Sequence, residues 1–341
     1  MVRNCTLLRR FVGSNQTQKS NWANGVKPSI FIDGEAGTTG LQLRQRLEGR
    51  ADLALLSIDP AKRKDPAERA RLLNEADVVF LCLPDDAARE AVALIGNPKV
   101  KVIDASTAHR VNDAWVFGFP ELATGHRDKI AAATRVSNPG CYSTGSIALI
   151  RPLVDSGLLN SNYPVTINGV SGYSGGGKGM ISEFENENDP TYTTVPYRIY
   201  ALELQHKHVP EIQKYGKLSL RPIFTPAVGR YAQGMIVEVP LHLSLLAGGP
   251  TVADVHGVLT AAYQDAHYIT VVPLAQSTAI KTLPPEQLNN TNHMRLYVFG
   301  SGTGQQARLV AQFDNLGKGA SGQSVQCLNI MPGLPENTGL P

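Results

Sequence analysis

Cysteine is scarce in this 341-residue chain, with only Cys5, Cys82, Cys141 and Cys327. None falls in a CxxC pair, so neither a disulfide framework nor a zinc site is suggested, and a reducing compartment fits best. Long apolar runs are missing as well. The stretch 76–84 is strand-length, far short of the roughly 20 residues that span a bilayer, so no membrane partner is expected. Nor is one sign of charge in excess: Lys and Arg number 32 against 29 Asp and Glu, a net +3. No basic run is interleaved with aromatics, and nucleic acid is set aside as a partner. Internal repeats and low-complexity segments are absent too. What remains, at 42% hydrophobic and 18% charged residues, is an ordinary globular composition in a chain long enough for two domains.

Residues 1–27 stand apart. They carry Arg3, Arg9, Arg10, Lys19 and Lys27 and no acidic residue. The stretch reads as a disordered extension, because an organelle-targeting peptide would need an amphipathic helix that it lacks.

The next element is strand, glycine turn, helix. Residues 28–33 are apolar up to Asp33, Gly34-Glu35-Ala36-Gly37-Thr38-Thr39-Gly40 follows, and Leu41, Leu43 and Leu47 then recur as in a helix. This is the dinucleotide-binding arrangement: glycines let the backbone approach a pyrophosphate, and the helix N-terminus supplies N–H donors. The spacing is GxxGxxG, a weak motif alone. Its context is a doubly wound pattern, with further strands at 53–58, 78–83 and 101–104 and helices at 67–74 and 86–95. Ligands in such sheets bind at the carboxyl ends of the strands, where Gly34, Ser57, Leu83, Pro84 and Ser106 fall. After the second strand, Asp59 would favour a free ribose hydroxyl, whereas Lys62-Arg63-Lys64 would favour a 2′-phosphate; the three cations make NADP the expected cofactor.

Cys141 is the candidate nucleophile. Pro139-Gly140 forces a turn before it and 143–150 reads as a helix start, so the thiol sits at the positive end of a helix dipole, which lowers a thiol pKa and leaves N–H groups for an oxyanion. The alternative is a buried structural cysteine. Arg110, which follows the end of the strand at 101–104, suits a carboxylate or phosphate through its guanidinium fork, while Glu121 is either a cap or a ligand-orienting carboxylate and His109 is left without a role. In the second half a Gly-Ser loop, 171–179, can close over a phosphate through Ser171, Gly172 and the charge of Lys178, or serve as a flexible linker. His206 and His208 can share one face, and one of them can act as acid and base for Cys141. No third ligand accompanies them, so no metal is expected. Strands at 234–243, 295–300 and 307–314 and a helix at 252–263 complete the pattern, with a helical tail.

Taken together, residues 28–335 resemble the N-acetyl-γ-glutamyl-phosphate reductases of arginine biosynthesis, in their shorter type. The resemblance is carried by 31–40, by Ser137-Asn138-Pro139-Gly140-Cys141-Tyr142-Ser143-Thr144-Gly145, by His206-Lys207-His208-Val209-Pro210-Glu211 and by 314–323. It implies an α/β architecture: a Rossmann-type NADP-binding domain, 28–141, an α+β catalytic and dimerisation domain of the semialdehyde dehydrogenase kind, 142–314, and a last helix, 315–341, returning to the first. By this resemblance Cys141 attacks the acyl phosphate of N-acetylglutamyl phosphate and releases phosphate. NADPH reduces the resulting thioester to the 5-semialdehyde, His206 is the first choice of acid and base, and Asn315 lies on the nicotinamide side. A cytoplasmic homo-oligomer, dimer or tetramer, is implied. The departures are the leader and Ser143, where many relatives have proline or alanine. Three other readings stay open: an aspartate-semialdehyde dehydrogenase, against which the HxHxPE phrase argues, a lysine-pathway paralogue with a longer substrate, and a catalytically silent NADP-binding protein that uses Cys141 as an oxidisable thiol.

Overall fold

The computed structural model describes residues 27–63 and 65–341; the expectation of disorder for the leader, and the site assignment of Lys64, fall outside the described residues, Lys27 apart. Two sheets divide the fold. The first contains β1 (Ser29–Asp33), β2 (Ala54–Leu56), β3 (Val78–Leu81), β4 (Lys101–Asp104), β5 (Val116–Phe117) and β6 (Arg135–Ser137), all parallel in the order β2-β1-β3-β4-β6-β5. β3 is apolar at every position, and the middle residues of β1 and β4 are apolar too, because helices cover both faces. Phe31, Val79 and Leu81 pack toward α2 (Pro66–Glu75) and α3 (Asp85–Leu94), whereas Ile30, Ile32, Val78 and Phe80 pack toward α1 (Thr38–Leu47). The chain order reverses between β1 and β3, which is where a doubly wound sheet opens its ligand crevice. A fourth helix, α4 (His126–Ala132), precedes β6.

From β6 the chain turns through Asn138-Pro139-Gly140 straight into α5 (Cys141–Asp155), a helix with 11 buried residues. It lies under the second sheet, and Gly145 allows the approach, since a Cβ there would sit 2.7 Å from the Phe313 ring. The sheet is built from β7 (Thr166–Gly172), β8 (Tyr197–Ile199), β9 (Ile223–Gly229), β10 (Met235–His242), β11 (Ile269–Val271), β12 (Met294–Gly300) and β13 (Gln306–Phe313). Their order is β11-β12-β13-β10-β7-β9-β8, mostly antiparallel, with β7 and β9 parallel and β11 and β12 parallel. Between the strands run α6 (Gly177–Glu185), α7 (Val209–Tyr215), α8 (Val252–Tyr263) and α9 (Leu274–Ala279). Alternation along β10 puts Met235, Val237, Val239 and Leu241 into the core with α5 and α8, and leaves Glu238 and His242 on the opposite face. Helix α8 begins with a capping box, Thr251 and Asp254. After β13 a π turn (Gly317–Ser321) leads into α10 (Gly322–Ile330), whose Val325, Cys327, Leu328 and Ile330 pack in one cluster with Ile30, Val78 and Ile103 of the first sheet. The expected pairing of a Rossmann-type sheet with an α+β sheet is therefore what the chain forms. One expectation changes: 171–179 is not a loop, because a short 3-10 turn at Tyr173–Gly176 runs into α6.

Candidate active site

The start of α5, the two histidines and the π turn meet around one cavity of about 340 Å³, whose wall includes Arg110, Asn138, Cys141, His206, His208 and Asn315. Two glycines make the meeting possible. A Cβ on Gly140 would lie 2.2 Å from His208 Nε2, and one on Gly319 would lie 2.9 Å from Cys141 Cβ. Only hydrogen at these positions lets the imidazole and the thiol occupy their places.

Glu211, in the first turn of α7, is the residue whose role the sequence did not disclose. It is buried, and its Oε2 accepts from the Gly140 N–H at 3.0 Å and from the Ser143 hydroxyl at 2.6 Å, while Oε1 accepts from Arg110 Nη1 at 2.9 Å. Arg110 also donates through Nη2 to the Ala105 carbonyl at 2.9 Å, and its Nε has no partner. The guanidinium is thereby fixed through Nη1 and Nη2, with its buried Nε–H spare.

His206 and His208 flank the exposed Lys207, and their rings lie 4.6 Å apart between centroids. The His208 N–H donates to His206 Nδ1 at 3.1 Å, which leaves the neutral ring its proton on Nε2, 3.3 Å from the Tyr200 hydroxyl. His208 is buried and its Nδ1 has no partner. Burial dominates the titration of the whole cluster. It lowers His206 to about 4, with Lys207 and Arg110 adding to the effect, and lowers His208 well below the usual imidazole range. Burial also pushes the Cys141 thiol up to about 11, although the Tyr142 N–H, Arg110 and Lys207 act in the opposite direction. The lowering expected from the helix terminus is present but smaller than the effect of burial, so the thiol and the imidazoles rest neutral together.

A second cavity, about 330 Å³, adjoins the first and shares Thr38, Thr39, Ala105 and Gly177 with it. Its other walls are Gly37, Cys82, Leu83 and Lys178, that is, the crevice between the ends of β1 and β3. The glycine turn is tight: Gly34 has φ +88°, and a Cβ on Gly40 would lie 2.4 Å from the Gly34 carbonyl oxygen. Thr38 Oγ1, in the first turn of α1, is buried without a partner, and the start of α6 faces it, with a Cβ on Gly177 reaching within 3.8 Å. The N-termini of α1, α5 and α6 therefore all border this joined cleft, an arrangement suited to anions.

Other expected residues are placed differently. Lys178 lines the crevice by α1 and not the Cys141 cavity, whereas Ser171 and Gly172 do line the latter. Asn315 lies on the Cys141 cavity, but its amide is already used, accepting from the Gly234 N–H at 2.7 Å and donating to Ser174 Oγ at 3.0 Å. Ser106 binds Asp104 through both its N–H and its hydroxyl, and Pro84 is the N-cap of α3; neither lines the two cavities. Gly34, Ala36 and Gly40 shape the turn behind the cavity wall. His109 is structural, bonded to Asp104 at 2.7 Å and stacked on Trp115. Asp59 caps its own 3-10 turn through the Ala61 N–H, and Lys62 and Arg63 are exposed on that turn. The cation that stands at the end of β2 is instead Arg44, whose Nη1 donates to Ser57 Oγ at 2.8 Å and to Glu35 at 3.1 Å. Among the described residues no group of acidic, cysteine or histidine side chains is arranged to hold a metal ion, and no helix is long and apolar enough to cross a membrane.

Residues 30–133 match the family described as semialdehyde dehydrogenase, NAD binding domain, and residues 141–315 match semialdehyde dehydrogenase, dimerisation domain. Proteins of Brucella ovis and Brucella suis named N-acetyl-gamma-glutamyl-phosphate reductase are each 53% identical to this chain over 309 residues, 90% of this chain and 100% of theirs. Among solved structures, aspartate semialdehyde dehydrogenase II of Vibrio cholerae, complexed with ASA, superposes with a TM-score of 0.68 at 14% identity, covering 90% of this chain and 98% of that one. The aspartate semialdehyde dehydrogenase of Francisella tularensis gives 0.67 at 12%, covering 89% and 99%. At such identities these two establish the fold alone.

The neutral resting state has a direct consequence. Thiolate is the species that alkylates, and a pKa raised to about 11 keeps it a small fraction near neutrality. Iodoacetamide modification of Cys141 in the ligand-free protein should accelerate about tenfold per pH unit from pH 7 to 10. A plateau beginning below pH 8 would instead reveal a thiolate–imidazolium pair.

Proposed function

As the chain belongs to the N-acetyl-gamma-glutamyl-phosphate reductases of the semialdehyde dehydrogenase family, we propose that it reduces N-acetyl-L-glutamyl 5-phosphate to N-acetyl-L-glutamate 5-semialdehyde with release of phosphate, as a step of arginine biosynthesis. The observation that carries the mechanism is the single cavity in which Cys141, two imidazoles, a fixed arginine with a spare donor and the start of α5 come together.

In this reading the two sheets are working halves, 28–141 and 142–314, with 315–341 returning to the first. Arg110 and Lys207 draw the anionic groups of the substrate toward the thiol. His206 is the acid and base: its Nδ1, which accepts the His208 N–H at rest, is the one unprotonated nitrogen of the neutral ring and takes the thiol proton, while Nε2 keeps its own proton toward Tyr200. As Cys141 Sγ attacks the acyl carbon, its proton passes to the imidazole, and N–H groups at the start of α5 receive the developing oxyanion. The C–O bond to phosphate breaks, leaving a thioester on Cys141. Bound NADPH supplies the hydride that reduces this thioester. His206 then returns its proton as the C–S bond breaks and the aldehyde leaves. His208 is the wall that positions His206 and the turn at Gly140. The neutral resting thiol suits this sequence, because positive charge at the cavity stays available for the substrate.

The residues present fit a nicotinamide dinucleotide. Gly34, Ala36, Gly37, Thr38, Thr39 and Gly40 form the turn that takes the pyrophosphate, with the unpartnered Thr38 hydroxyl as one donor and Lys178 as a charge from the opposite side. NADP, and not NAD, is supported by Arg44 and Ser57 at the end of β2, the position of the adenine ribose in such sheets. A homo-oligomer in the cytoplasm completes the proposal. The half-exposed face of the second sheet, around Glu238, Pro240, His242 and Arg308, is the surface offered to a second copy.

Two experiments test this reading. The purified protein should reduce NADP with N-acetylglutamate 5-semialdehyde only when phosphate is present, and Cys141→Ser should lower kcat by at least about 10³-fold; comparable turnover of aspartate semialdehyde, or of the longer lysine-pathway analogue, would reassign the substrate. For the cofactor, Arg44→Gln should weaken NADPH binding about 10- to 100-fold, the value of a hydrogen bond to a charged group, and leave NADH binding unchanged. Equal weakening of both would remove Arg44 from the 2′-phosphate.

A further inference from the structure

Lys318 is fully buried in the π turn that follows β13, with no side-chain exposure at all, and it does not line the cavity. Its Nζ donates to both oxygens of Glu121, at 2.8 Å each, and to Gln326 Oε1 at 2.6 Å. All three of its donors are therefore used. The Gln326 amide closes the network by donating to Glu121 Oε1 at 2.9 Å and to Glu336 at 2.7 Å. Such a pair costs as much in desolvation as it returns in attraction, so stability alone gives little reason to bury it; holding one geometry is the better-attested use.

The geometry held here is that of the next residue. Gly319 is the backbone against which Cys141 rests, with only 2.9 Å between its would-be Cβ and Cys141 Cβ. The segment winds as a π turn, with the Gly319 N–H bonded to the Asp314 carbonyl at 2.9 Å and the Ser321 N–H to the Leu316 carbonyl at 3.0 Å. Turns of this kind are rare and need outside support. Asp314 fixes one end by accepting from Gln233, Asn290 and the Leu316 N–H. The other end has Lys318, reaching across to Glu121, a residue of the segment between β5 and α4.

We propose that Lys318 and Glu121 are positioning residues for the nucleophile: their ion pair presses the π turn against Cys141, so that the thiol keeps its place at the start of α5 although neither residue touches substrate. This rests on Cys141 being the reacting group. It also gives Glu121 a role other than a helix cap or a direct ligand.

The test uses the intact chain in two variants. Lys318→Met/Glu121→Met replaces the pair by apolar side chains of similar length, and Gly319→Ala places a methyl group where Cys141 Cβ now rests. Each is measured for NADPH affinity by fluorescence, for the pH profile of Cys141 alkylation, and for kcat and KM. The expected result in both is a kcat lower by about 10- to 100-fold, the scale of a misplacement near 1 Å, and a displaced alkylation profile, with NADPH affinity within about twofold of the parent. A folded double variant with parental alkylation and kcat overturns the proposal. So does a parallel loss of NADPH affinity and melting temperature, which marks a merely structural pair. If the double variant does not fold, Glu121→Gln takes its place under the same criteria. Alkylation requires no substrate, so an error in the substrate assignment would leave this test intact.

Discussion

The Cys141 end of the molecule is drawn together by one buried carboxylate. Glu211 collects the Gly140 N–H, the Ser143 hydroxyl and the Arg110 guanidinium, three donors from two stretches, each far from it in the chain. A carboxylate at a helix N-terminus is favourable by itself, and here it also neutralises an arginine that would otherwise be buried unpaired. The consequence is geometric. Helix α7, which begins beside His208, is tied to α5, which begins at Cys141, and both are tied to the loop after β4. The Ser143 hydroxyl adds a donor within the first turn of α5 itself.

Charge at the site follows from the same burial. With the thiol raised and the imidazoles lowered, the resting pocket holds no ion pair between them, and no thiolate competes for Arg110, already paired with Glu211, or for the exposed Lys207. The cofactor-side crevice is built on the same economy of means: glycine at 34 and 40 for close approach, a lone hydroxyl on Thr38, and helix termini from both halves of the chain. The thiol's surroundings also include Gly319 of the π turn, whose neighbour Lys318 lies outside the cavity.

Much of this was legible in the sequence because it is local. Strand, glycine turn and helix at 29–47, the Pro-Gly turn into α5 and the apolar period of Val252–Tyr263 are each written within a dozen residues. Asp59, Lys62 and Arg63 were placed after the second strand, but the 3-10 turn they form is capped by Asp59 itself and carries its cations outward, while Arg44 reaches Ser57 from the first helix. Asn315 stood out as polar in a distinctive phrase, yet its amide is used to bind Gly234 and Ser174. Glu211 and Lys318 could not be assigned because their partners lie 71 and 197 positions away. Period and spacing carry no information about a buried ion pair between distant segments; only the packing of α7 on α5, and of the π turn on the segment before α4, creates them.

The central claim is that Cys141 becomes acylated. Its most direct test is to mix the protein with N-acetylglutamyl phosphate in the absence of NADPH, quench in acid and map the modified peptide by mass spectrometry. A single N-acetylglutamyl adduct is expected on the peptide bearing Cys141, discharged on adding NADPH and absent from Cys141→Ser. An unmodified Cys141 in protein that is turning the substrate over, or an adduct on another residue, would contradict it.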